Sequence, residues 1–128
     1  MTIETPDILD PDGAQAHLRD WKSRVDRMAA DTQAMSDRLG RLRVHGTDDN
    51  DLVEVTIDTN GGLVDIRFTA RIQRVAPAVV EQAVMSAMRS ARASAARQAR
   101  EIIVETMGPD SVAAQAIAAR IAGQLNHD

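Results

Sequence analysis

Residues 52–68 read LVEVTIDTNGGLVDIRF, and this stretch decides the fold class. Val53, Val55 and Ile57 alternate with Glu54, Thr56 and Asp58, the period of two expected of a half-buried strand. Asn60-Gly61-Gly62 follows, and Asn-Gly signals a hairpin because both central residues tolerate positive φ. Val64, Ile66 and Phe68 then alternate with Asp65 and Arg67 in the return strand. Upstream, Val44–Thr47 predicts a shorter strand, joined by the acidic loop Asp48-Asp49-Asn50-Asp51. Two or three antiparallel strands with one apolar face need a helix or a second sheet to cover them.

Helical periodicity flanks the strands on both sides. On the N-terminal side Leu18, Trp21, Val25, Met28, Thr32, Met35, Leu39 and Leu42 are spaced alternately three and four apart. That heptad pattern predicts a helix roughly 40 Å long with a narrow coiled-coil-like seam, opening near Asp12 as N-cap. Arg24, Asp31 and Arg38 recur at one flanking position. On the C-terminal side Pro77 suits the first turn of a second helix, and Gly108-Pro109 stops it after Met107. Val80, Ala83, Val84, Ala87, Ala91, Ser94, Ala95 and Ile102 fall on one side of it, and Arg89, Arg92, Arg97 and Arg100 on the other. Asp110 or Ser111 would cap a short third helix with Ile117, Ile121 and Leu125 as its stripe. The fold class is therefore α+β, in the order α-β-β-β-α, with three segments: an acidic leader over 1–12 that we expect to be flexible, a dimerising domain over 13–107, and an extension over 108–128.

The 128 residues include no Cys, no Tyr, one Trp and one Phe. So few aromatics leave little bulk for a monomeric core, and helices packed by small residues against a second chain are expected. Leu18, Trp21, Val25, Met28, Met35 and Leu39 are the expected dimer interface. The lack of Cys excludes disulfides and thiolate metal sites. No apolar run approaches the roughly 18 residues of a membrane span, and Met1–Asp12 does not read as a signal peptide, so the chain is expected to be cytoplasmic with no membrane partner. The net charge of −4 conceals three blocks. Residues 1–65 carry 7 basic and 14 acidic side chains, residues 66–100 carry 7 arginines against Glu81, and residues 101–128 carry Arg120 against four acids. A basic block in an acidic chain points to an anionic partner, or else to neutralisation of the acidic segments within the chain or across a dimer.

Catalysis finds no support. His17, His45 and His127 stand at neither metal-ligand nor triad spacing, and Gly61-Gly62 lacks a phosphate-loop context. Asp48, Asp49 and Asp51 lack the glycine and terminal Glu of an EF-hand loop and read as a solvated loop. The carboxylates Asp20, Asp26, Asp31 and Asp37 follow no di-iron pattern. The chain reads as a non-enzyme without metal or cofactor. Arg89, Arg92, Arg97 and Arg100, with Arg71 and Arg74, are the candidate phosphate contacts. Stacking residues are nearly absent, and Gln98 falls on the apolar side, so sequence-independent binding to duplex DNA is expected.

The order of long heptad helix, strands, Asn-Gly hairpin and Ala-rich helix resembles the YbaB/EbfC family of bacterial nucleoid-associated DNA-binding proteins. Val44-His45-Gly46-Thr47, Leu52-Val53-Glu54-Val55-Thr56-Ile57, Gly61-Gly62-Leu63-Val64-Asp65-Ile66 and the helix from Val79 to Ala99 carry the likeness, over roughly 15–107. The resemblance implies an intertwined homodimer that binds duplex DNA in the cytoplasm, at the nucleoid, without enzymatic activity or cofactor. Family members usually have a glycine-rich stretch where this chain has Asp48–Asp51, and Asp-Pro where it has Thr69-Ala70-Arg71. The Ala- and Arg-dominant composition looks like that of a divergent actinobacterial member. Some such members look like adaptors of type VII secretion, which keeps open a protein-binding adaptor or chaperone whose helical partner docks against Ile117, Ile121 and Leu125.

Overall fold

A computed structural model describes residues 11–126. Helix α1 spans Pro11–Arg41, strands β1, β2 and β3 span Val44–Thr47, Val53–Ile57 and Leu63–Phe68, and helices α2 and α3 span Pro77–Met107 and Val112–Leu125. A short 3-10 helix over Ala70–Arg74, absent from the sequence reading, links β3 to α2. Pro11 and Asp12 belong to the first turn of α1, so Asp12 is not the N-cap. The rest of that leader lies outside the described residues.

The sheet is antiparallel throughout, in the order β1-β2-β3. Val44 pairs with Ile57, Gly46 with Val55, Val55 with Ile66 and Val53 with Phe68, so these residues share one face. A bulge at Thr56/Ile57 shifts the register near the hairpin and brings Leu63 opposite Ile57. The other face is polar, with His45 and Thr56 in register and bonded through His45 Nδ1 and Thr56 Oγ1 at 2.8 Å.

Helix α2 lies across β1 and β2. Its buried stripe is Ala83, Ala87, Ala91, Ala95 and Ala99, continued by Ile102 and Ile103. Alanines at every fourth position let the helix approach the sheet closely, and Gly46 completes the fit. A Cβ there would sit 2.5 Å from the Ala87 carbonyl oxygen and the Ala91 nitrogen. Both are backbone atoms, so no side chain can yield. Val44, Val53, Val55 and Ile57 pack against the alanines, and Leu125 of α3 reaches the same core.

The two strand connections share one device. Asp48 accepts hydrogen bonds from the backbone N–H of Asn50 at 3.1 Å and of Leu52 and Val53 at 2.8 Å. Ten residues on, Asp58 accepts from Asn60 at 3.0 Å and Gly62 at 2.9 Å. An aspartate bonding amides two and four residues ahead stands in for a backbone turn. Gly61 alone adopts positive φ in the hairpin, at 83°, so Asn60 does not take the conformation expected of it.

Gly46→Ala should destabilise the fold by about 3 kcal/mol through overpacking. Gly40→Ala, in the last turn of α1 with open space around it, should add roughly 0.5–1 kcal/mol of helix propensity. Urea denaturation of the two variants beside the native chain tests the contrast, and equal midpoints would refute the close-contact account.

Candidate nucleic-acid interface

Opposite the alanine stripe, α2 presents Arg89, Arg97 and Arg100 to solvent, whereas Arg92 is half-buried. The difference follows from the stripe itself. A spacing of four in a helix of 3.6 residues per turn drifts by about 40° per step, so the buried face spirals toward the Arg92 side. Arg97 donates from Nη2 to Ser94 Oγ at 3.2 Å, and Gln98 donates to the same oxygen at 3.0 Å. Arg100 borders a groove of about 310 Å³ between α2 and α3, with Ile103, Val104, Ala118 and Ala119 among its walls. Nearer the middle of the helix, Arg89 borders a depression of about 220 Å³ that Asp48, Asp49 and Asn50 also line. Arg71 and Arg74 are exposed on the 3-10 helix, and Arg71 Nη1 donates to the Asn50 carbonyl at 3.2 Å. Arg71 and Arg89 therefore lie near Asp48–Asp51, and Arg97 and Arg100 share their stretch of α2 with the exposed Glu101.

The acidic loop is not the solvated loop expected from sequence. Asp49 and Asp51 are exposed, but Asp48 is buried, and its carboxylate is taken up by the backbone amides of the loop. Burial pushes the Asp48 carboxyl upward, and the N–H groups of Val53, Leu52 and Asn50 outweigh it and hold the group below the usual carboxylate range. Asp51 takes a positive φ of 59°, and its carbonyl accepts the Thr69 hydroxyl at 2.8 Å. Aspartates between two strands were the available signal, since such residues bond their own backbone two residues on.

The heptad seam of α1 divides into two parts. Met35 is 5% exposed, packed against Ile103 and Ala114, and Leu39 is half-buried beside it. Arg38 bonds Glu105 at 2.7 Å, and Thr32 donates to the Met107 sulfur at 3.7 Å. The Thr59 hydroxyl donates to the Leu39 carbonyl, which also accepts the Leu42 N–H at 3.3 Å. Toward the N-terminus, Leu18, Trp21, Val25 and Met28 are exposed, on an arm that runs past the end of α2. On β3, Leu63, Val64 and Phe68 are also exposed, because α2 stops short of that strand.

Ser111 caps α3 by accepting the Ala114 N–H at 3.1 Å. The stripe offered to a helical partner is engaged within the chain: Leu125 is fully buried, and Ile117 and Ile121 pack against the cluster of Met35, Ile103 and Ala114. His17 lies exposed on α1, and His127 falls outside the described residues. Among the described residues, no group of three or more His, Cys, Asp or Glu is placed to hold a metal ion. No described helix is long and apolar enough to cross a membrane.

A helix-backed three-stranded sheet with exposed arginines along the helix is a small α+β binding module. A model of the YbaB/EbfC DNA-binding family matches residues 15–109, most of the chain, and the chain belongs to that family of nucleoid-associated DNA-binding proteins. No curated protein matches it. Helix α3 lies beyond the matched residues.

The sign of the Asp48 effect on stability follows from its lowered pKa. Unfolded, the group titrates near 3.9, and folded it titrates lower. The unfolded chain thus binds more protons as pH falls, and the stabilisation present above pH ~5 is lost on acidification through the folded pKa. Asp48→Asn should cost about 2 kcal/mol at pH 7, since an amide satisfies the three N–H groups less well. The gap to the native protein should narrow between about pH 5 and pH 3. Thermal denaturation across that range reads this out, and a pH-independent gap would contradict it.

Proposed function

We propose that the protein is a non-enzymatic, cytoplasmic nucleoid-associated protein whose homodimer binds duplex DNA with little sequence specificity. The observation that carries the reading is the exposure of Arg89, Arg97 and Arg100 on the solvent side of α2 in a chain of a DNA-binding family. Guanidinium groups on a rigid helix suit bidentate contact with phosphate, and such contacts give affinity without sequence readout. The sole Trp and Phe, together with the absence of Tyr, leave no stacking platform for single strands. The acidic remainder of the chain opposes approach of DNA and keeps binding weak at physiological salt, on the order of micromolar.

In this reading two copies join through Leu18, Trp21, Val25 and Met28 and the uncovered apolar residues of β3. The proposal is supported by their exposure in the protomer: single apolar residues on a surface are ordinary, but a contiguous exposed half of a heptad seam is an interaction surface. Met35 and Leu39 anchor the arm from within the protomer. A helical protein partner would need a surface other than the packed α3 stripe.

Sedimentation at micromolar concentration should give two 13.9 kDa chains, and emission from the sole tryptophan, Trp21, should shift to the red on dilution. Met28→Asp should give folded monomer, whereas Met35→Asp should unfold the chain through an unpaired buried charge. A native chain that sediments as a monomer would refute the dimer. For DNA, unrelated duplexes should shift at low salt, with log K falling against log salt at a slope near −5 for about six phosphates. Arg97→Glu with Arg100→Glu should abolish that shift in a folded protein. An unchanged shift would refute the role of this face.

A further inference from the structure

Two opposite charges flank the exposed seam of α1. Arg24 and Asp31 occupy the same flanking position in successive heptads, Arg24 exposed and Asp31 half-buried. Among the described residues, neither side chain makes an ion pair or hydrogen bond within the protomer. One heptad apart, or about 10 Å along the axis, they are too distant to meet each other. Arg38, the next member of the row, is already bonded to Glu105 at 2.7 Å. Charges at such positions set the orientation and register of paired helices.

The seam can pair with a second copy in parallel or in one of several antiparallel registers. In a parallel pair the flanking contacts are Arg24 with Ala29 and Asp31 with Ser36, and neither attracts. In the antiparallel register that sets Met28 against Thr32 of the copy, Asp31 faces Asp31. In the one that sets Trp21 against Val25, Arg24 faces Arg24. The register between them sets Val25 against Met28 and Trp21 against Thr32. Arg24 of each copy then faces Asp31 of the other, and twofold symmetry makes two attractive contacts. The same register places the bulkiest seam residue, Trp21, opposite the smallest, Thr32, as interdigitating layers require. Its overlap from Trp21 to Thr32 runs about 17 Å and ends just before Met35, which is buried in its own protomer.

We propose that two copies of the chain pair their α1 arms antiparallel, about a twofold axis between Val25 and Met28, with Arg24 of each against Asp31 of the other. The inference rests on the homodimer reading and adds the orientation of the arms and the residues that select it. Each arm then points back toward the body of the other copy. Leu18 comes to the rim where Thr32 and Ser36 of that copy border a trough of about 490 Å³.

The test is sedimentation of full chains at about 50 mM salt, where exposed charges are only partly screened. Arg24→Asp sets like charges across the seam twice, and Asp31→Arg does so with the opposite sign. Each variant alone should dimerise roughly tenfold more weakly than the native chain, as two attractive contacts become repulsive. Mixed in equal amounts, with one of them fluorescently labelled, the two should recover native affinity as a heterodimer, because both of its flanking contacts attract. The double variant should recover it as a homodimer. Asp26→Arg, the same charge change on a position turned away from the seam, should alter dimerisation less than twofold. Recovery on mixing is the decisive readout, since damage to the helix within either chain would persist in the mixture. A native dimer that neither single variant weakens, or single variants that mixing does not rescue, overturn this inference and leave the homodimer reading standing. A native chain that sediments as a monomer overturns both.

Discussion

The approach of α2 to the sheet at Gly46 is the constraint on which the rest of the molecule depends. Ala87 and Ala91 come so near the strand that a single methyl group would collide with helix backbone. That proximity makes an alanine stripe an adequate core, because small residues bury area only when the backbones they join are close. It also explains how a chain with one Phe and one Trp, both exposed, still has a packed interior. The arginines inherit their position from the same contact, since the helix face turned from the sheet is fixed by the face turned toward it.

Much of this was legible in the sequence, for identifiable reasons. Pro77 and Gly108 bound α2 as their backbone preferences dictate, and the alternation at Val53–Ile57 gave a strand with the right face inward. What stayed hidden was long-range. Met28 and Met35 occupy one heptad seam and look alike in sequence, yet one is 63% exposed and the other is enclosed by Ile103 and Ala114. Periodicity says which way a side chain points and is silent about which element meets it.

The arginine face illustrates the same limit at finer scale. Its existence follows from spacing, but the half-burial of Arg92 comes from a stripe whose four-residue spacing winds around the helix. The placing of Asp49 near Arg89 comes from where β1 turns back toward β2. Asp48 is the residue whose environment departs furthest from its sequence context. An aspartate in a run of acids resembles a solvent-facing residue until the amides ahead of it are seen to converge on its carboxylate, as they do again at Asp58.

The arm of α1 has a mechanical consequence. From Thr32, which bonds Met107 of α2, to Pro11 the helix runs on for about 30 Å at 1.5 Å per residue. It is held at one end only, by Met35, the Arg38–Glu105 pair and the Thr59 hydroxyl. A rigid rod clamped in this way is a lever. Ten degrees of tilt at the clamp moves the tip by roughly 5 Å, far more than any side chain at the clamp need shift. The crossing angle between α1 and α2, set by a handful of side chains near Met35, therefore governs the reach of the arm and the span between anything held at its tip and the body of the protein.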